Sequence, residues 1–395
     1  MTIDLLRNNL KKSFQAEKII TISSAHFFHD IYTAFLAPML PLLISKFGIS
    51  LSVAGLLDVV RKIPSLFNPF IGLLADKICM KYLVICTPGI SAICMSLLGV
   101  SPSFIILLIL LFITGISSAL FHIPSPVMIK NYSGAKTGTG MSFFMFGGEL
   151  ARTLGPLLIT AALSIWGLEG SYRVMPIGII ASVILFFKLK DVSSLNSKNN
   201  KKKVKGATET VKELVPFFLF IAGFQLFRGG MKSALTLYLP TYLIANGESL
   251  WIAGISLSVL QLAGVTGTFG AGYISDKIGH RNLLLITAVA SPLVMWAFIN
   301  SNTVTMIPLL IIMGFVLFAS SPVILALVQE TNTERPAFIN SIYMSINFGI
   351  SSLMVLIVGV LGDAIGLELT YQICAVLAFV SIPFIFILPK KELKK

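Results

Sequence analysis

The sequence predicts an all-α polytopic membrane protein, with twelve transmembrane helices arranged as two six-helix halves. Three observations predict it: apolar stretches of membrane-spanning length, a one-sided distribution of Lys and Arg, and a repeat that relates the halves. Of 395 residues, 55% are hydrophobic and 12% charged, a balance that no soluble domain of this size presents to water. Runs such as 104–115, 177–187, 308–319 and 375–388 sit inside stretches of about 20 apolar residues, the length that crosses a bilayer core at 1.5 Å per residue. They are helices rather than isolated strands, because lipid offers no partner to an unpaired backbone amide.

In order, the spans fall near 18–44, 50–75, 82–100, 103–129, 138–164, 170–188, 214–244, 250–275, 282–300, 304–328, 337–361 and 367–389. The net charge of +13 could suggest nucleic acid, but position decides otherwise. Of the 30 Lys and Arg, five lie within spans (Arg61, Lys62, Arg152, Arg228, Lys232) and two (Lys46, Arg173) beside one set of loops. The other 23 crowd the opposite loops and both tails. By the positive-inside rule that side is cytoplasmic, so both termini and the central loop are expected there, in a multi-pass protein of the cell inner membrane. A basic cytoplasmic face accounts for the charge, and no nucleic-acid partner is expected. The basic start 2–18 leads into a full span without a small-residue cleavage pattern, so the first helix reads as a retained signal anchor. Cys79, Cys86, Cys94 and Cys374 form no CxxC pair, which points to packing rather than to disulfides or zinc.

The one long hydrophilic stretch, with its Ser/Asn/Lys core at 193–205, cannot pack. It divides the chain into an N-terminal half (1–190), a cytoplasmic linker (191–213) and a C-terminal half (214–395). A shift of 199 positions carries Phe28, Pro41, Gly48, Ser50, Leu51, Ala54 and Gly55 onto Phe227, Pro240, Gly247, Ser249, Leu250, Ala253 and Gly254. A shift of 200 carries Gly72, Asp76, Lys77 and Ile78 onto Gly272, Asp276, Lys277 and Ile278. Matched Gly, Pro and Asp at nearly one offset indicate duplication. Duplicated halves are how secondary transporters alternate access to a central site.

The segments Gly72-Leu-Leu-Ala-Asp76-Lys-Ile-Cys-Met-Lys81 and Gly272-Tyr-Ile-Ser-Asp276-Lys-Ile-Gly279-His-Arg281 resemble the loop signature that the major facilitator superfamily carries after its second and eighth helices. The resemblance implies a cytoplasmic charge latch made by Gly72, Asp76, Lys77, Gly272, Asp276, Lys277 and Arg281, with Met80 departing from the usual pattern. A narrower resemblance, to the fosmidomycin-resistance group of drug exporters, rests on three motifs. They are His26-Phe-Phe-His-Asp30 with Pro41-Leu-Leu, Phe121-His122 with Ser133-Gly134, and Phe146-Gly-Gly148 with Leu154-Gly-Pro156-Leu-Leu. The last resembles the exporter antiport signature, in which Gly and Pro let the fifth helix bend and approach its neighbour. Pro124, Val127, Arg61, Glu149 and Arg152 depart from that group, so its substrate does not carry over. The superfamily resemblance implies that helices one, two, four, five and seven border a central cavity.

Ionisable side chains inside a membrane helix cost at least about 2.5 kcal/mol each and are kept where water, substrate or a partner compensates them. His26, His29 and Asp30 share one face of helix one, because separations of three and four place side chains on adjacent turns. Asp58, Arg61 and Lys62 repeat that spacing on helix two, Glu149 and Arg152 on helix five, and Arg228 and Lys232 on helix seven. At 1.5 Å per residue, Asp30 and Glu149 lie about 18 Å deep and Arg61, Arg152 and Arg228 about 22 Å deep. Asp30 is the expected proton-coupling group, with His26, His29 and Glu149 as its companions, since carboxylates in dry surroundings and imidazoles both titrate within reach of neutrality. Arg61, Arg152, Arg228 and Lys232 give the spans a surplus of cations suited to an anionic or zwitterionic substrate. Tyr32, His122, Gln225, Gln261 and Asn347 are the further candidate substrate contacts, beside Phe146, Tyr238 and Tyr343.

A transition-metal site from His26, His29, Asp30 and His122 fits by ligand type. Polar residues on a cavity face are the commoner use of such groups, so no metal and no cofactor are expected. No GxSxG, HExxH, P-loop or dinucleotide motif appears in a fitting context, and no catalytic residue or enzymatic activity is expected. The expectation is a monomeric, proton-coupled antiporter exporting a small organic compound. Uptake of an organic anion by proton symport is the alternative on the same scaffold.

Overall fold

The computed structural model describes residues 14–67, 80–134, 137–190, 212–329, 331 and 336–388, and among them every regular element is helical. In chain order these are α1 (Ala16–Thr33), α2 (Leu36–Phe47), α3 (Leu51–Lys62), α4 (Met80–Ser96), α5 (Phe104–His122), α6 (Pro124–Ser133), α7 (Thr137–Trp166) and α8 (Met175–Leu189). They continue with α9 (Val215–Ser233), α10 (Leu239–Ala245), α11 (Leu250–Ile278), α12 (His280–Ile299), α13 (Thr303–Phe318), α14 (Ser320–Gln329), α15 (Pro336–Ile365), α16 (Leu367–Ala378) and α17 (Ile382–Ile385). Eight stretches among the described residues are long and apolar enough to cross a membrane. With the segments around α3, α4, α7 and α9–α10 they make the twelve-helix arrangement.

Several spans are broken where proline dictates. Pro38 has no N–H to give the Ala34 carbonyl, and the first span parts into α1 and α2 just there. Pro124 opens α6 and ends α5 at His122. A π-helical turn, Ala234–Tyr238, joins α9 to α10 ahead of Pro240. The spans display apolar side chains outward: Ile105, Ile109 and Phe112 on α5, and Ile180, Val183, Ile184 and Phe187 on α8, are exposed. Their separations of three and four mark lipid-facing stripes.

The chain forms two units, one of residues 1–47 and 60–199, the other of residues 48–59 and 200–395. In the first, α1 packs against α7 and α4, and α4 against α5 and α8. Its core includes Ile22, Val84, Phe121, Met128, Ile129 and Phe144. In the second, α9 packs against α15 and α16, and α11 against α13, over a core that includes Phe220, Phe224, Leu284, Val323 and Ile339.

Residues 48–59 fall in the first half by sequence yet group with the second unit, and the reason is local. The Asp363 carboxylate accepts hydrogen bonds from the Leu51 and Ser52 amides at 2.7 and 2.9 Å, satisfying donors that a helix N-terminus leaves open. The Tyr238 hydroxyl lies 3.1 Å from the Leu51 carbonyl and 3.0 Å from that of Val355. The repeat is visible in backbone geometry as well. Gly48 and Gly247 both adopt positive φ, 60° and 89°, a conformation open to glycine. Ser50 and Ser249, two residues on, each accept an amide hydrogen bond from a first-turn residue, Val53 and Ile252.

Candidate functional site in the first unit

The α1 face predicted from spacing is built: His26, His29 and Asp30 are buried, at 2%, 0% and 3% exposure. The Asp30 carboxylate is the centre of the cluster. Oδ1 accepts from His29 Nδ1 at 2.8 Å and lies 3.2 Å from His122 Nε2. Oδ2 lies 3.2 Å from His26 Nε2 and 3.7 Å from Arg152 Nη2. Arg152 in turn donates through Nη1 to Glu149 Oε1 at 2.7 Å. One carboxylate on α1 thereby joins the end of α5, where Pro124 leaves His122, to the middle of α7.

Aromatic rings hold the imidazoles. Phe144 stacks on His26 with centroids 4.0 Å apart and 21° between planes, and Phe121 stacks on His29 at 4.6 Å and 7°. His122 stands edge-on to both, at 5.1 and 5.3 Å. The His26 Nδ1–H donates to the Phe144 carbonyl at 2.7 Å. A carbonyl oxygen can only accept, so this bond fixes the proton on Nδ1 and turns the Nε2 lone pair of a neutral ring toward Asp30. Gly148 makes the approach of α7 possible, since a Cβ there would meet the His26 ring, and one at Gly147 would meet the Ser23 carbonyl. Phe121, Phe144 and Gly148 are the site residues that charge and spacing did not mark as contacts; the Phe121-His122 pair and the 147–148 glycines were the available signals.

The remaining candidates are placed as follows. Arg61 donates to the Thr33 carbonyl at 3.2 Å, at the α1 end. Tyr32 is fully buried: its hydroxyl donates to the Val174 carbonyl at 2.7 Å and accepts from the Gly178 amide at 2.8 Å, tying α1 to α8. In the second unit, Arg228 is 5% exposed, donates to Thr287 Oγ1 at 3.2 Å, and lies over the Phe224 ring at 5.1 Å, while its Nη2 makes no hydrogen bond among the described residues. Lys232 is exposed, 5.7 Å from the Phe318 ring. Gln225, Gln261 and Asn347 are half-buried on α9, α11 and α15. Of the latch, Gly72, Asp76 and Lys77 lie outside the described residues. Gly272, Asp276 and Lys277 sit in the last turns of α11, Lys277 over the Tyr273 ring at 4.3 Å, and Arg281 on α12 lies over Phe386 at 4.8 Å.

With neutral imidazoles, Asp30, Glu149 and Arg152 sum to one negative charge. Inside a membrane span such a sum calls for a cation, whether proton or metal, or for water. The cluster contains no nucleophile–base pair of the kind that acyl transfer requires.

Comparison with known proteins bears on the fold and the family. The fosmidomycin resistance protein of Escherichia coli (strain K12) is 24% identical over 378 residues, covering 93% of this chain and 91% of that protein. An uncharacterized MFS-type transporter, YfnC, of Bacillus subtilis (strain 168) is 25% identical over 383 residues, covering 95% and 93%. A bacterial homolog to the human lysosomal transporter Spinster has the same fold, with a TM-score of 0.79 at 17% identity over 95% of this chain and 97% of that one. A family profile described as Major Facilitator Superfamily matches residues 22–353. The protein is a multi-pass membrane transporter of small molecules, not an enzyme, and the chain belongs to the Major Facilitator Superfamily.

Proposed function

We propose that the protein is a secondary active exporter in the cell inner membrane, working by proton antiport on a small anionic or zwitterionic organic compound, with both termini cytoplasmic. The observation that carries the reading is the Glu149–Arg152 pair, joined at 2.7 Å and continued to Asp30 at 3.7 Å, inside a membrane-spanning bundle. A coupling carboxylate must exchange a proton with water and trade its ion-pair partner during turnover. Asp30 is 3% exposed and has four nitrogen partners. Among the described residues Glu149 has one, Arg152, and its side chain is 17% exposed. The proton role therefore goes to Glu149, and Asp30 organises the cluster. When Glu149 is protonated, Arg152 is released from it and its planar fork can grip a carboxylate or phosphonate bidentately. Arg61, on α3 and hydrogen-bonded to the Thr33 carbonyl at the end of α1, supplies a second guanidinium within the same unit.

The resistance phenotype named for the E. coli relative makes fosmidomycin the first compound to try. In everted vesicles energised by an acid interior, the protein should accumulate substrate, and collapse of the proton gradient should stop it. Accumulation only in right-side-out vesicles with an acid exterior would replace export by uptake symport. Reporter fusions after Lys205 and Lys395 should be active only in the cytoplasm.

A further inference from the structure

We propose that His26, Asp30 and His122 form a binding site for one divalent transition-metal ion of the zinc, cobalt or nickel kind. The three residues each offer a donor atom within 4.8 Å of the other two. In a tetrahedral site with metal–nitrogen and metal–oxygen bonds near 2.0 Å, ligand atoms stand about 3.3 Å apart. His26 Nε2 lies 3.2 Å from Asp30 Oδ2 and His122 Nε2 3.2 Å from Oδ1, so each histidine stands at that spacing from one of the two carboxylate oxygens, and the carboxylate reaches both as a ligand held between them.

The hydrogen bonds point the same way. The Phe144 carbonyl holds the His26 proton on Nδ1, and Nε2, buried, makes no hydrogen bond. With the ring neutral, a lone pair faces a carboxylate oxygen, and a proton on Nε2 or a metal ion between the two turns that contact attractive. The outer partners are those of a ligating shell. A backbone carbonyl orients one histidine, and His29 Nδ1–H donates to the Asp30 oxygen that faces His122. The Phe121 and Phe144 rings wall the donors, and His122, with 38% of its side chain exposed, leaves an approach.

Charge permits the ion. Two carboxylates and Arg152 sum to minus one, and Arg152 keeps Glu149 as its partner if the metal takes Asp30. Two imidazoles and one carboxylate suit borderline ions, whereas calcium and magnesium prefer all-oxygen shells. The site shares Asp30 with the Glu149–Arg152 chain but does not use Glu149, and binding is measured without transport, so either reading can fail alone.

The test uses the full-length protein without a polyhistidine tag, purified in detergent and stripped with chelator. Equilibrium dialysis against Zn2+ and titration with Co2+, followed in the visible spectrum, should each show one ion per chain. His26→Gln and His122→Gln should abolish saturable binding, the latter at a half-exposed position where folding is least at risk; melting curves of the apo proteins check this. His29→Phe should keep the stoichiometry and weaken affinity about 10- to 100-fold, as loss of an outer-shell hydrogen bond does. Lack of stoichiometric binding, or binding unchanged in folded His122→Gln, overturns the proposal; the second result would place the ion elsewhere, and the first would leave Arg152 and protons to balance the carboxylates.

Discussion

The two units treat the same repeat position in opposite ways. Position 29 in α1 corresponds to position 228 in α9 by the 199-residue shift, and position 30 to 229. The first unit places His29 beside Asp30 and gathers His26, His122 and Arg152 on that carboxylate. The second places Arg228 beside Gly229, so its buried guanidinium has Thr287 and an aromatic face but no carboxylate among the described residues. Both frames keep the glycine turn and serine cap that start the following helix. Duplication preserved the scaffold and let the chemistry diverge: one unit acquired an ionisable cluster around a carboxylate, the other a buried guanidinium with no carboxylate partner among the described residues.

That contrast can be broken from the first unit, where the largest effect is expected. Asp30→Asn leaves Arg152 with one carboxylate and removes the acceptor of the cluster. It should lower stability by about 1.5 to 3 kcal/mol, the worth of hydrogen bonds to a charged group, and abolish transport; thermal unfolding with and without substrate reads the first part. An unchanged melting temperature would mean that the cluster contributes little to the first unit.

Next comes Arg152→Gln. Loss of the fork should weaken substrate binding by about 1.5 to 3 kcal/mol, roughly ten- to hundredfold, with Lys restoring it only partly. The counterpart in the second unit, Arg228→Gln, sharpens the comparison. If the buried guanidinium only packs, the variant should melt at the same or a higher temperature, with substrate affinity unchanged. A tenfold loss of affinity would give the second unit an anion contact of its own.

A smaller effect is expected at Gly148→Ala, whose methyl group is directed at the His26 ring. Overpacking of this kind costs about 1 to 3 kcal/mol and should displace His26 from Asp30. The smallest is Tyr238→Phe, which removes the hydroxyl between the Leu51 and Val355 carbonyls at a cost of about 1 kcal/mol. Chemical denaturation of the purified protein measures both.

Sequence made the fold legible because membrane spans announce themselves by apolar length and the repeat by its Gly, Pro and Asp. The α1 part of the site was legible for the same reason: His26, His29 and Asp30 are ionisable in an apolar span, and their spacing puts them on one face. What pairs with them was not. Helical rise gives depth, but each residue also turns about 100° around the axis, and depth alone could not tell that Arg228 turns toward Thr287 on α12. Tyr32 looked like a pocket residue because it is polar in a span, yet its hydroxyl serves α8. Phe144 and Gly148 matter only because α7 lies against α1, a tertiary fact.

The account stands most directly on whether Glu149 couples substrate to protons. Proteoliposomes loaded with a pH dye and given fosmidomycin, or whichever compound the vesicle screen identifies, measure this. Wild-type protein should move protons when substrate moves, and Glu149→Gln should retain substrate counterflow with no accompanying proton movement. Substrate-linked proton movement that persists in Glu149→Gln, or wild-type transport with none, would contradict it.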